Sequence, residues 1–167
     1  MALAYISKTL KKCSENNAVD RLYKHPLHLN PKDRKNKDTS TLWKEYYQGC
    51  SEDKPVDGIL KLLHILQEIP NVKIIILTAR DENARQETEI WLKKHNVKYT
   101  EIYMRQINQC KKASLVKKDC ILEIQKKYGQ ITLIFEDDIR NIKMFQELQI
   151  PVIKPDTLSL IDIIEKI

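Results

Sequence analysis

Three acids follow one another at the end of an apolar run, where Ile134 and Phe135 lead into Glu136, Asp137 and Asp138 in "IFEDDIRN". Carboxylates paired at a strand end suit Mg2+, which takes a few oxygen ligands and keeps several waters. The competing structural use is helix capping, in which Asp137 or Asp138 accepts from the first free amides of a following helix. Glu136 still belongs to the strand end, which favours the metal reading for Glu136 and Asp137. A second apolar run ends in "LTARDENAR". There Thr78 offers a hydroxyl and Arg80 a fixed cation, and together they can hold a phosphate oxygen. Equally, Thr78 can cap a helix while Arg80 stays solvated. A third run leads into "YMRQINQCKKASLVKK", with Arg105 at its end and Lys117 among several lysines beyond it.

The elements that position these residues alternate in type. "VKIIILT" is a continuous apolar run, as in a strand covered on both faces. "TEIYM", "ITLIF" and the short "PVI" are further strands, and "ALAYI" opens the chain as another. Between them lie helical patterns. "PVDGILKLLHILQEI" has Pro55 at its start and Val56, Ile59, Leu60, Leu63 and Leu66 at helical spacing. "DENARQETEIWLKKH" opens acidic and closes basic, matching the helix dipole. "ASLVKKDCILEIQKKY" ends at Gly129, "NIKMFQEL" is helical, and "TLSLIDIIEKI" is a last helix. Strand alternating with helix predicts an α/β fold of three layers, α/β/α, with a central parallel five-stranded sheet. In such sheets ligands bind at the carboxyl ends of the strands, where these candidate residues fall.

One segment differs in texture. Residues 25–49 hold two prolines, a charged polar run and the aromatics Trp43, Tyr46 and Tyr47. It reads as a long loop and a short helix, part of a loop and helical insert over about 13–54 after the first strand. Its aromatics favour packing on a core over stacking on a base.

Composition sets the bounds. At 167 residues the chain makes one domain, 1–167, with 42% hydrophobic and 31% charged residues, as in soluble globular proteins. Only three glycines occur, which excludes a glycine-rich phosphate loop. Cys13, Cys50, Cys110 and Cys120 form no C-x-x-C pair, so free thiols in a reducing intracellular compartment are expected, cytoplasmic by default. No apolar run is long enough to span a membrane. An organelle-targeting peptide is disfavoured without being excluded, and a central strand beginning at residue 2 leaves no room for a leader. The net charge of +6 is spread in lysine pairs and permits a nucleic-acid, phosphate-bearing or acidic protein partner.

Taken in order, these parts resemble the haloacid dehalogenase superfamily of phosphotransferases, and more narrowly the phosphatase domains of polynucleotide kinase and small phage or bacterial proteins of that type. The resemblance covers nearly the whole chain. "YYQGCSEDKPVDGILKLLHIL" is similar to the family's link from first loop to first helix. "IIILTARDE" resembles its second motif, through Thr78 and Arg80. "YMRQINQCKKASLVK" resembles the stretch whose Arg and following Lys contact the phosphate, which implies Arg105 and Lys117. "LIFEDDIRNIKMF" resembles the fourth motif, with Glu136 and Asp137 as its acidic pair and Asp138 outside it.

The first motif departs from that pattern. The family's signature is Asp-x-Asp-Gly-Thr-Leu, and the matching stretch here is "YISKTL". Thr9 and Leu10 agree with it. Tyr5 stands for the nucleophile, Ser7 for the acid–base carboxylate and Lys8 for the glycine. The implied mechanism is attack by an Asp on phosphorus, then hydrolysis of the aspartyl-phosphate, with Mg2+ neutralising the phosphoryl oxygens. A phenol with an ordinary pKa near ~10 is neutral at physiological pH, and loss of acid–base help alone costs ~10²–10⁴-fold in rate. Removing two carboxylates also makes the crevice more positive. An anion can then dock on Thr9, Thr78, Arg80, Arg105 and Lys117, or Tyr5 can fill the space. The resemblance thus implies a pseudoenzyme without cofactor: a binding or structural module for a phosphate-bearing nucleic acid, or a subunit of a larger assembly docked through the aromatic segment or the lysine-rich surface. The alternative is an active Mg2+-dependent phosphohydrolase of the polynucleotide 3′-phosphatase kind, with Asp20 or Asp33 brought in from the loop.

Overall fold

The computed structural model describes Ala2–Ile6 by backbone, then Leu42, Lys44, Tyr46 and Tyr47, and residues 49–155 except Asn108 and Cys110. Ser7, Lys8, Thr9, Cys13, Asp20, Asp33, Trp43, most of the insert and the helix expected over 157–167 lie outside the described residues.

The strands are β1 (Ala2–Ile6), β2 (Lys73–Asp81), β3 (Glu101–Arg105), β4 (Ile131–Phe135) and β5 (Val152–Ile153). They are hydrogen-bonded in the order β3-β2-β1-β4-β5, and every pairing is parallel. The opening strand therefore lies inside the sheet between β2 and β4. The chain builds outward from β1 to β3 on one side, then crosses to β4 and β5 on the other. The reversal of direction falls between β1 and β4, the place where sheets of this kind take their ligands. Ile6 pairs with Phe135, so β1 finishes level with the end of β4.

The helices are α1 (Asp57–Leu66), α2 (Arg85–Lys94), α3 (Ala113–Tyr128) and α4 (Ile139–Glu147). β2 explains why they cover both faces. Its successive side chains point to opposite sides, and the run Ile74–Leu77 is buried throughout. Ile75 and Leu77 pack with Ile121 and Ile124 of α3 and Phe145 of α4. Ile74 and Ile76 pack with Ile59 and Leu63 of α1 and with Trp91 and Leu92 of α2. Each buried Ile or Leu contributes about 1.5–3 kcal/mol, so the sheet is clamped from both sides.

Three boundaries differ from the sequence reading, each for a local reason. β2 continues past Thr78 to Asp81, with an irregular register beside β3 between Leu77 and Asp81. Asp81 then caps a short 3-10 turn, Glu82–Ala84, by accepting from Asn83 N at 3.0 Å, so α2 starts only at Arg85. α1 begins at Asp57, two residues after Pro55. At the end of α3, Gly129 adopts φ +83°, a left-handed geometry in which a side chain is strained. Among the described residues no helix is long and apolar enough to cross a membrane.

Candidate functional site

Asp138 caps α4 by accepting from Arg140 N at 2.9 Å. Capping thus falls to the third acid of the run, and Glu136 and Asp137 are held between the end of β4 and the start of α4. Glu136 is fully buried. Its Oε1 accepts from the amides of Asp137 and Asp138, each at 3.0 Å. Its Oε2 accepts from Lys117 Nζ at 2.5 Å and from Asn141 Nδ2 at 3.1 Å. Four donors already fill the lone-pair directions of one carboxylate. Lys117, 3% exposed, reaches this position from α3, and Asn141 from the first turn of α4.

Asp137 is placed differently. Burial and the neighbouring Glu136 push its carboxyl up to about 6, against a smaller pull from Lys117. Its Oδ1 is buried without a hydrogen-bond partner among the described residues. These are the residues that the family resemblance offers to Mg2+. Among the described residues no group of three His, Cys, Asp or Glu could hold a metal. The pair presents one carboxylate oxygen without a partner, Asp137 Oδ1, because the Glu136 oxygens already accept from Lys117, Asn141 and two amides. These residues do not form a magnesium site by themselves.

On the other side of β1, Arg80 lies near the end of β2 and is not solvated. Its guanidinium donates to Asp53 Oδ2 at 3.2 Å and to Thr88 Oγ1 at 3.4 Å. Both members of the Arg80–Asp53 pair are largely enclosed, at 14% and 12% exposure. Asp53 is fixed in turn, since the Trp91 indole N–H of α2 donates to its carbonyl. Thr78 is buried, and its hydroxyl accepts from Arg80 N at 3.2 Å. At the end of β3, Arg105 Nη1 donates to Gln109 O at 3.3 Å.

Tyr46 and Tyr47, on helical backbone, divide the two expected uses of the aromatic cluster. Tyr46 is buried in the core. Tyr47, its ring 5.7 Å away and tilted by 56°, extends into the field of Arg105, Arg80 and Asp81. Burial pushes its phenol up to about 12 although the two arginines pull it down, so it stays neutral and can donate.

The fold therefore gathers two groups at the carboxyl ends of the strands. Lys117, Glu136, Asp137 and Asn141 stand beyond β4, and Thr78, Arg80 and Arg105 lie toward the ends of β2 and β3 with Tyr47 near them. Tyr5 is placed only as backbone of β1, between them. Ser7 and Thr9 lie outside the described residues. Sequence reasoning missed Asp53, Thr88 and Asn141. Asn141 carried a usable signal, because it sits three residues past the cap Asp138, on the first turn of the helix that follows the acids. Asp53 carried none, since its partner Arg80 lies 27 residues away; Thr88 is eight residues from Arg80, but nothing in its helical pattern marks it as a partner.

Comparison with known proteins adds to this geometry. The model of the polynucleotide kinase PNKP phosphatase domain matches residues 34–157. Among solved structures the chain is similar to one in the Pnkp1/Rnl/Hen1 RNA repair complex, with 24% identity and a TM-score of 0.62 over 72% of this chain and 37% of that one. A second structure of the Pnkp1/Rnl/Hen1 complex gives 23% identity and a TM-score of 0.55 over 62% of this chain and 36% of that one. At those identities the likeness establishes the fold, and this chain spans little more than a third of the length of either neighbour. No curated protein matches it.

Proposed function

Because the chain belongs to the family of polynucleotide kinase PNKP phosphatase domains, within the haloacid dehalogenase superfamily, we propose that it binds the phosphate-bearing end of a nucleic acid without hydrolysing it. One observation carries this reading. The opening strand lies inside the sheet beside β4, and on the family resemblance its Tyr5 and the Ser7 that follows it stand where the family has two aspartates. The family match begins at residue 34, downstream of both. A neutral phenol cannot replace a carboxylate nucleophile at physiological pH. The rest of the site favours anions. Lys117 balances Glu136, the raised pKa of Asp137 weakens its negative charge, and Arg80, Arg105 and the Tyr47 hydroxyl offer donors to phosphate oxygens, with Thr78 beside Arg80.

The likeness to a chain of a multi-protein RNA repair complex supports a second element of the reading, that the domain works as part of a larger assembly.

Two measurements test the proposal. The first is release of phosphate from a 3′-phosphorylated oligonucleotide with Mg2+, by the protein and by its Tyr5→Asp, Ser7→Asp variant. No release by the protein is expected. Release that Asp137→Ala abolishes would establish the phosphohydrolase instead, with an acid such as Asp20 or Asp33 in use. The second is oligonucleotide affinity against salt. Arg80→Ala and Arg105→Ala should each reduce the slope of log affinity against log salt by about one. An unchanged slope places the contact elsewhere on the surface.

A further inference from the structure

Among the described residues, two largely enclosed ion pairs stand toward the carboxyl ends of the strands, and they are built differently. Lys117 and Glu136 meet at 2.5 Å, 3% and 0% exposed, with Asn141 and two amides completing the carboxylate's shell. A ligand that parted them would leave a charge buried without its partner. Arg80 and Asp53 meet more loosely. Nη2 donates to Oδ2 at 3.2 Å, and both side chains keep some exposure, 14% and 12%. The other guanidinium bond, Nη1 to Thr88 Oγ1, is long at 3.4 Å. A guanidinium carries five donors in a planar fork, more than these two bonds use. The Trp91 indole holds Asp53 by its backbone carbonyl, so rotation of the carboxylate leaves the main chain in place. Asp53 thus occupies the position from which an anion would meet Arg80, and the anion must outcompete it. A phosphodiester within a nucleic acid carries one negative charge, no more than the carboxylate it would replace. A terminal phosphate carries about −1.5 to −2 and three strong acceptor oxygens. Only the terminal group gains charge at Arg80 in the exchange.

We propose that Asp53 is a specificity-determining residue: as a displaceable competitor for Arg80, it admits a terminal phosphate monoester and holds off the diesters of the nucleic-acid backbone. This rests on the phosphate-end reading above and adds the residue that separates an end from an interior phosphate.

The test is equilibrium binding of the full chain, by fluorescence anisotropy, to three oligonucleotides of one sequence that differ only at the 3′ end: a hydroxyl, a phosphate, and a phosphate capped as its methyl diester. The phosphate end is expected to bind about tenfold tighter than the methyl diester, the worth of one charge-assisted hydrogen bond. In Asp53→Asn the methyl diester should gain most, so that the two esters draw together. A gap that Asp53→Asn leaves unchanged, or a methyl diester that binds the unaltered protein as tightly as the phosphate while both exceed the hydroxyl, overturns the role of Asp53 and leaves phosphate recognition standing. Equal binding of all three, or of none, overturns both. Nitrogen-15 NMR of the unaltered protein decides the matter even if the variant fails to fold. The Arg80 guanidinium signal should move with the phosphate oligonucleotide and stay put with the methyl diester. Movement with both, or with neither, overturns the exchange.

Discussion

Lys117 Nζ lies 2.5 Å from Glu136 Oε2, with the two side chains 3% and 0% exposed. Neither charge meets water, so each is tolerable only because the other is present and because Asn141 and two backbone amides complete the carboxylate's shell. Whatever else it does, this pair joins α3, β4 and α4 at the point where the strand order reverses.

Removing one partner of that pair should be costly. Lys117→Met leaves a buried carboxylate uncompensated and is expected to lower stability by about 3–5 kcal/mol. Lys117→Met with Glu136→Gln, in which both charges are gone, should recover a large part of the loss. Chemical denaturation of the single and double variants checks this. A double variant no more stable than Lys117→Met would show that the pair is not coupled as described.

The Arg80–Asp53 pair makes a different prediction. Asp53→Asn removes the carboxylate that now faces the guanidinium, so the variant should melt at a lower temperature. A phosphate-bearing oligonucleotide should then restore more stability to it than to the unaltered protein, because the ligand supplies the missing charge. Melting curves with and without the oligonucleotide measure both effects. Equal ligand-induced shifts in the two proteins would mean that Arg80 does not meet the phosphate.

Acid stability should depend on Glu101 at the opposite end of the sheet. Lys127 donates to it at 2.8 Å, and the hydroxyls of Tyr128 and Tyr103 donate at 2.8 and 2.9 Å. These bonds hold its carboxyl below the ordinary 4.5, Lys127 contributing most. Since the folded value is the lower one, the contribution is present above about pH 4.5 and is lost as pH falls through the folded pKa. The fall in melting temperature on acidification below that point should be shallower in Glu101→Gln.

The described thiols should be inert in the folded state. Cys50 is fully buried beside Thr88, and burial with Glu123 and Asp119 nearby pushes the Cys120 thiol up to about 11. An alkylating reagent near ~pH 8 should label neither until denaturant is added, because the thiolate is the reactive species. Peptide mapping of labelled protein reads this site by site.

The alternation of strand and helix, the buried run Ile74–Leu77, the helix stop at Gly129 and the clustering of candidate residues at strand ends were all legible in the chain. They depend on neighbours a few residues apart, and backbone periodicity expresses them directly. The proposed replacement of two family acids by Tyr5 and Ser7 rests on residue identity alone, upstream of the family match at residues 34–157. What tertiary structure alone decided was how the charges are paired. Nothing near Arg80 in sequence names Asp53, 27 residues away, and nothing near Glu136 names Lys117, 19 residues away. Nor did spacing show that Tyr46 would enter the core while Tyr47 reached the arginines. The free energy of a charge depends on burial and on which opposite charge stands within a few ångströms, and those are properties of the packed molecule rather than of the order of its residues.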